Sequence, residues 1–254
     1  MMNSFTIQYL AIIWIVIAII LFPFLSRITA PYGRHIKTNW GTMIDNRLGW
    51  ALMELPSLLI FVLLILLGPN QRSSPIWIFF TLWTLHYFNR SVIFPLRTKT
   101  KGKKMPLLVM FFAVFFNLIN ATLNGYWLGY VSPAYPENWL IDPRFIIGGI
   151  LFISGFIINQ VADKKLIGLR KGDEKGYFIP RGGLFNYISC PNFLGEIIEW
   201  SGFALMAWNL PALSFAVWTL ANLIPRALDH HRWYNNYFSE EYPKSRKALI
   251  PFIL

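Results

Sequence analysis

Two stretches limit what this chain can become before any motif is considered. Residues 6–25 and 52–67 are almost wholly apolar, and Glu54 is the only charged residue in either. A helix needs about 20 such residues to cross roughly 30 Å of hydrocarbon. Runs of this kind ask for a lipid solvent or a very large core. With 254 residues, 55% of them apolar and only 14% charged, the balance favours lipid. The first stretch has no basic segment ahead of it and no small-residue cleavage site behind it, so it reads as a retained helix rather than a removed signal.

Seven spans are predicted, at about 5–26, 50–68, 76–96, 106–130, 145–162, 192–208 and 211–228, giving an all-α, single-domain membrane bundle over residues 1–254. The loops between them alternate in charge. Arg27, Arg34, Lys37 and Arg47 lie in the first; Arg97, Lys99, Lys101, Lys103 and Lys104 in the third; Lys164, Lys165, Arg170, Lys171, Lys175 and Arg181 in the fifth; and Arg232, Lys244, Arg246 and Lys247 in the tail. The second and fourth loops carry only Arg72 and Arg144. Short cytoplasmic loops retain Lys and Arg, so the amino terminus is expected outside and the carboxyl terminus in the cytoplasm. The net charge of +11 is therefore an orientation signal, and with no basic stripe interleaved with exposed aromatics no nucleic-acid partner is expected. Trp40, Trp50, Trp127, Tyr130 and Trp139 near span ends fit interfacial belts. Cys190 is alone and excludes an internal disulfide.

An ionisable group inside hydrocarbon is costly unless it is paired, neutralised or facing water, so each one marks a candidate site. Glu54 falls in the second span and His86, Tyr87 and Arg90 in the third. Asn159 and Asp163 close the fifth, Asn192, Glu196 and Glu199 lie in the sixth, and Arg226, Asp229, His230 and His231 end the seventh. Asn192, Glu196 and Glu199 recur at i, i+4 and i+7, and Arg226, His230 and Tyr234 at i, i+4 and i+8, so each set shares one helical face. Such faces can converge on a wet pocket at the basic end, where an anionic cofactor is attracted. No G-x-G-x-x-G follows a strand and no Walker loop is present, so any nucleotide must be held by side chains, and Gly182-Gly183 is a turn signal. His230 and His231 point about 100° apart on a helix and suit no common metal, so none is expected. Asn120-Ala-Thr122 matches a glycosylation pattern but falls inside a span.

The run Gly182-Gly183-Leu184-Phe185-Asn186-Tyr187-Ile188-Ser189, continued by Asn192-Phe193-Leu194-Gly195-Glu196-Ile197-Ile198-Glu199-Trp200, resembles the signature of the steroid 5-alpha-reductase family, most closely its type 2 members. Glu54-Leu55-Pro56-Ser57, His86-Tyr87-Phe88 with Arg90, and the tail from Tyr242 to Phe252 resemble it too, so the likeness covers nearly everything after Tyr32. The resemblance implies reduction of 3-oxo-Δ4 steroids to 5α products with NADPH. It implies that Glu54 and Tyr87 hold the C3 carbonyl. Asn159, Asp163, Arg170, Tyr177, Asn192, Arg226, His230 and Tyr234 are implied to bind the cofactor, with Tyr32, Arg90, Lys103 and Glu196 as further contacts. Lys101-Gly102-Lys103-Lys104 stands where the family favours Arg, which replaces a bidentate phosphate grip by a point charge.

Hydride added to the β carbon of an enone drives negative charge onto the carbonyl oxygen, which calls for aimed donors. A tyrosine hydroxyl and a neutral carboxylic acid both qualify, and burial of Glu54 among Leu52, Leu55 and Leu58 favours its neutral form. A monomer acting on a steroid-like enone within membrane lipid is expected. The alternatives are a related reductase of enoyl thioesters or polyprenols, an isoprenylcysteine methyltransferase-like enzyme using S-adenosylmethionine, and a transporter; the last usually shows internal repeats that this chain lacks.

Overall fold

The computed structural model describes residues 2–29, 31, 33–36, 39–70, 73–100, 102–169 and 176–254. Among them seven long helices run where seven spans are predicted: α1 (Ser4–Arg27), α2 (Asn46–Leu67), α3 (Ser74–Phe88), α4 (Leu107–Tyr126), α5 (Pro143–Gly168), α6 (Pro191–Ala207) and α7 (Leu210–Phe238). Two do not stop as ordinary helices. α3 widens into a π turn at Asn89–Ile93 before a last α turn at Phe94–Arg97, and α4 widens at Trp127–Val131. By length and apolarity alone, four helices qualify as spans among the described residues: α1, α2, α4 with its π turn, and α5. α6 falls short at 17 residues, and α7 continues past the predicted end at 228 as a polar extension to Phe238.

The starts of the helices are written locally. Asn3, Asp45, Asp142 and Asn209 each accept a backbone N–H from the first turn that follows, and proline opens α5, α6 and α7 where its missing N–H costs nothing. Arg144 bonds to the Asp142 carboxylate and holds it at about 2, below the usual carboxylate range. At the far end of α6 the loop ahead of α5 supplies the cap, with Trp139 Nε1 donating to the Met206 carbonyl and Tyr135 Oη to the Ala207 carbonyl. Trp139 thus finishes a helix, a more specific task than a place in an aromatic belt.

Odd and even loops separate to opposite ends. β1 (Met43–Asp45) in the first loop pairs antiparallel with β2 (Lys104–Pro106) in the third, Ile44 facing Met105. The fifth loop joins the tail through the Ile188–Lys247 bridge at the same end. At the other end Asn70 of the second loop bonds to Leu128 and Ser132 at the end of α4.

Close approach of helices sets the middle of the bundle. α5 and α6 meet through Gly148, Gly155, Gly195 and Gly202; a methyl group at Gly155 would lie 2.5 Å from the Gly195 carbonyl oxygen, and one at Gly195 2.6 Å from the Asn159 nitrogen. Both positions therefore need glycine, and their contact brings Asn159 and Asp163 against α6. α1 docks on α7, where Trp218 Nε1 donates to the Trp14 carbonyl at 2.8 Å and the two indoles pack at 4.6 Å. Asn120 is fully buried in α4, which removes it from glycosylation chemistry.

Candidate active site

Four helices bring the expensive polar residues together. α2 contributes Glu54, α3 Tyr87, its π turn Arg90, α5 Asn159 and Asp163, and α6 Glu196. Arg90 is the hub. Its Nη2 lies 3.9 Å from Glu54 Oε1 and 3.5 Å from Glu196 Oε1, and its Nη1 lies 3.4 Å from Asp163 Oδ2. Its guanidinium also packs at 4.8 Å over the rings of both Trp50 and Phe94. Asn159 Nδ2 donates to Glu196 Oε1 at 3.2 Å and to the Asn192 carbonyl at 3.1 Å, so Asn192 enters through its backbone.

The π turn explains how α3 presents both Tyr87 and Arg90. A π turn inserts an extra residue and leaves carbonyls unanswered; here the Ser91 hydroxyl donates to the Tyr87 carbonyl at 2.6 Å. Next to it, Ser57 Oγ donates to Asn117 Oδ1 at 2.9 Å, and Asn117 Nδ2 donates to the Met53 carbonyl at 2.6 Å and to Glu54 Oε2 at 3.4 Å. The Ser57 hydroxyl also neighbours the Tyr87 phenol. Glu54 and Tyr87, on different helices, are therefore linked through Asn117 and Ser57.

A second group lies at the end where odd loops gather. Arg34 sits 4.4 Å over the Tyr234 ring, 4.8 Å over Trp233 and 5.9 Å over Tyr177, and Lys103 lies 5.4 Å from Tyr177. His35 Nε2 and His230 Nδ1 are 3.0 Å apart with stacked rings, and Phe193 also stacks on His230 at 5.4 Å. Burial first, then the charges of Arg34, His35 and Arg226, push the His230 imidazole well below its ordinary value, leaving it neutral. Burial likewise pushes the Cys190 thiol up to about 12, so it is no nucleophile.

Of the residues singled out from sequence, Glu54, Tyr87, Arg90, Asn159, Asp163 and Glu196 converge in the first group, and Lys103, Tyr177, His230 and Tyr234 in the second. Arg226 is felt there as charge. Tyr32 and Arg170 lie outside the described residues. Arg90, expected beside a cofactor, is ion-paired to Glu54, the carboxyl expected to meet the ketone. Trp50, expected in an interfacial belt, covers that arginine. Arg34, His35, Ser57, Asn117 and Trp233 were not legible as site residues. Arg34 sits in a polar loop where positive charge already had an explanation, and the others show no periodicity of their own.

Comparison with known proteins gives one answer. The family profile described as 3-oxo-5-alpha-steroid 4-dehydrogenase matches residues 103–254. The steroid 5-alpha-reductase DET2 of Solanum lycopersicum is 42% identical over 228 residues, covering 89% of this chain and 88% of the relative. The 3-oxo-5-alpha-steroid 4-dehydrogenase 2 of Rattus norvegicus is 44% identical over 227 residues, 88% of each chain. The 3-oxo-5-alpha-steroid 4-dehydrogenase 1 of Bos taurus is 38% identical over 257 residues, covering 99% of this chain and 98% of the relative. This chain is an integral membrane oxidoreductase belonging to the steroid 5-alpha-reductase family.

Proposed function

We propose that the chain reduces the Δ4 double bond of 3-oxo-Δ4 steroids to the 5α-3-oxosteroid with NADPH, Glu54 and Tyr87 holding the C3 carbonyl. The observation that carries this reading is the link from Glu54 through Asn117 and Ser57 to Tyr87, in a chain whose relatives are named steroid 5-alpha-reductases.

The second group suits the cofactor. Arg34 Nη1 is buried without a hydrogen-bond partner, and flat rings of Tyr177, Trp233 and Tyr234 surround the guanidinium. A buried, unanswered guanidinium donor fits a phosphate oxygen, and the rings fit a flat base. NADPH, when bound, supplies the hydride. Tyr87 donates its phenolic proton in a hydrogen bond to the ketone oxygen as charge gathers there, and Glu54 donates as a carboxylic acid. The charge count around Arg90 supports a protonated carboxyl: three carboxyl groups surround one guanidinium, and a buried cluster holds the surplus as protons rather than as bare negative charge. Hydride arrives at C5, and Tyr87 or a water returns a proton to C4, so the overall step consumes one proton.

The chain crosses the membrane seven times in this reading, as a monomer, with the amino terminus outside and both polar groups open to the cytoplasm. The gathering of the basic odd loops at one end supports it. The test is loss of absorbance at 340 nm with purified chain, NADPH and a testosterone-like enone, set against enoyl-CoA. Turnover of the steroid alone is expected, with thermal stabilisation by NADPH and none by S-adenosylmethionine. Turnover of the thioester alone, or stabilisation by S-adenosylmethionine alone, sinks the proposal.

A further inference from the structure

Beside Tyr87 lies a polar pair that the proposed chemistry leaves unused. His86 Nδ1 and Glu199 Oε1 are 2.7 Å apart, with side chains 5% and 0% exposed. Glu199 Oε2 is buried and has no hydrogen-bond partner. Burying a carboxyl group with one oxygen unanswered is costly, and a well-packed apolar pair at such a place is commonly as stable or more so. Stability alone therefore gives this pair little reason to exist.

Its location supplies one. His86 and Tyr87 are consecutive on α3, and Glu199 and Trp200 are consecutive on α6. The two dipeptides interlock. The His86 imidazole meets the Trp200 indole edge-on at 4.6 Å, the Tyr87 ring packs against Trp200 at 5.8 Å, and Tyr87 meets His86 edge-on at 5.0 Å. The rings form a closed set of three, and rings alone can slide. The His86–Glu199 bond is the directional tie that fixes α3 against α6 at this level. Immediately beyond it the π turn interrupts the regular hydrogen-bond ladder of α3, so the helix cannot hold the register of Tyr87 unaided.

We infer that Glu199 and His86 are positioning residues for the reduction: their bond holds the Tyr87 phenol in line with the substrate carbonyl. The inference rests on the proposed role of Tyr87. A positioned donor loses catalytic power when its geometry relaxes by about 1 Å, even with every reacting group present.

The primary variant replaces both members by apolar groups, His86→Phe with Glu199→Leu. This avoids leaving a buried orphan, so the fold is expected to survive, checked by a monodisperse elution profile and a melting temperature close to that of the starting protein. The expected result is a fall in kcat of roughly 10- to 100-fold with the Kd for NADPH unchanged. Glu199→Gln, whose amide N–H still reaches the imidazole, is expected to recover most of that loss. In a Tyr87→Phe background the apolar pair is expected to cost little more, because the group it positions is gone. A folded double variant with unchanged kcat overturns the inference. So does a Glu199→Gln variant as poor as the apolar pair, or a loss that simply multiplies with that of Tyr87→Phe. Should Tyr87→Phe alone turn over like the starting protein, the ketone reading itself falls and takes this one with it; loss in Tyr87→Phe without loss in the apolar pair removes only the positioning role. If the apolar pair does not fold, Glu199→Gln decides, and equality with the starting protein in kcat and its pH profile is the supporting result.

Discussion

Arg90 and Arg34 both lay a guanidinium against aromatic rings, yet their surroundings are opposite in sign. Around Arg90 the chain places three carboxyl groups within 3.9 Å and covers the plane with Trp50 and Phe94. Around Arg34 it places rings, with Nη1 left unanswered. A charge already met by carboxyls has little left for an incoming anion, whereas Arg34, held by π faces, keeps one donor, Nη1, unanswered. In the proposed reading the first region handles protons and a neutral oxygen, and the second receives a phosphate. The two polar groups differ in charge surroundings although both hold an arginine and a tyrosine.

Tyr87→Phe tests the first region most severely. Loss of one donor aimed at a developing oxyanion lowers kcat on the order of 10²- to 10³-fold, while the Kd for NADPH stays put, since Tyr87 belongs to the other region. Steady-state kinetics beside a cofactor titration read both quantities. A change confined to NADPH affinity would erase the distinction between the two regions.

Arg34→Ala is the mirror experiment. A charge-assisted hydrogen bond contributes about 1.5–3 kcal/mol, so the Kd for NADPH should rise roughly 10- to 100-fold, with kcat at saturating cofactor largely kept. If kcat falls and affinity holds, Arg34 belongs functionally with Arg90.

The regions also differ in how they are held. The first depends on the glycine contact between α5 and α6, the second on stacked rings such as Tyr234 on Tyr242 at 5.2 Å. Gly155→Ala forces a methyl group into backbone and should cost about 1–3 kcal/mol, read as a lower melting temperature and as weakened turnover through displaced Asn159 and Asp163. Retention of both would mean that the helices part without consequence.

That difference in construction explains what the sequence disclosed. Seven helices were legible as apolar runs, although by length and apolarity four of them qualify as spans among the described residues, and the charge alternation of the loops matches their separation to two ends. The convergence of Glu54, Asp163 and Glu196 on Arg90 was legible because polar groups within apolar helices are costly unless they meet one another. Arg34 and His35 were not, because they lie in a polar loop where charge is cheap and their partners are distant in sequence, Tyr177 and Trp233 for Arg34 and His230 for His35. The π turn after Tyr87 was invisible as well: Asn89-Arg90-Ser91-Val92-Ile93 contains no residue that forbids an ordinary helix. The membrane segment was set to end at 228 because polarity rises there, while the i, i+4 and i+8 spacing of Arg226, His230 and Tyr234 already carried the helix further, to Phe238 in the structure.

Protons supply the finest separation of the two regions. His230, on the polar extension of α7, is held well below the ordinary imidazole value of about 6.5, first by burial and then by Arg34, His35 and Arg226. Below pH 6.5 the unfolded chain takes up a proton at this residue that the folded chain refuses, so stability falls as pH drops through that value and is restored as pH rises above it. The slope contributed by one such group is at most about 1.4 kcal/mol per pH unit. His230→Asn should therefore flatten the decline in melting temperature between pH 7 and pH 5, measured without cofactor. NADPH should flatten it less, because a phosphate beside Arg34 offsets one of the charges that keep the imidazole neutral and thereby raises its affinity for a proton. Parallel melting curves for His230→Asn and the starting protein across that range would show that the imidazole titrates alike in both states, and the cationic, aromatic enclosure drawn around it would have to be opened to water.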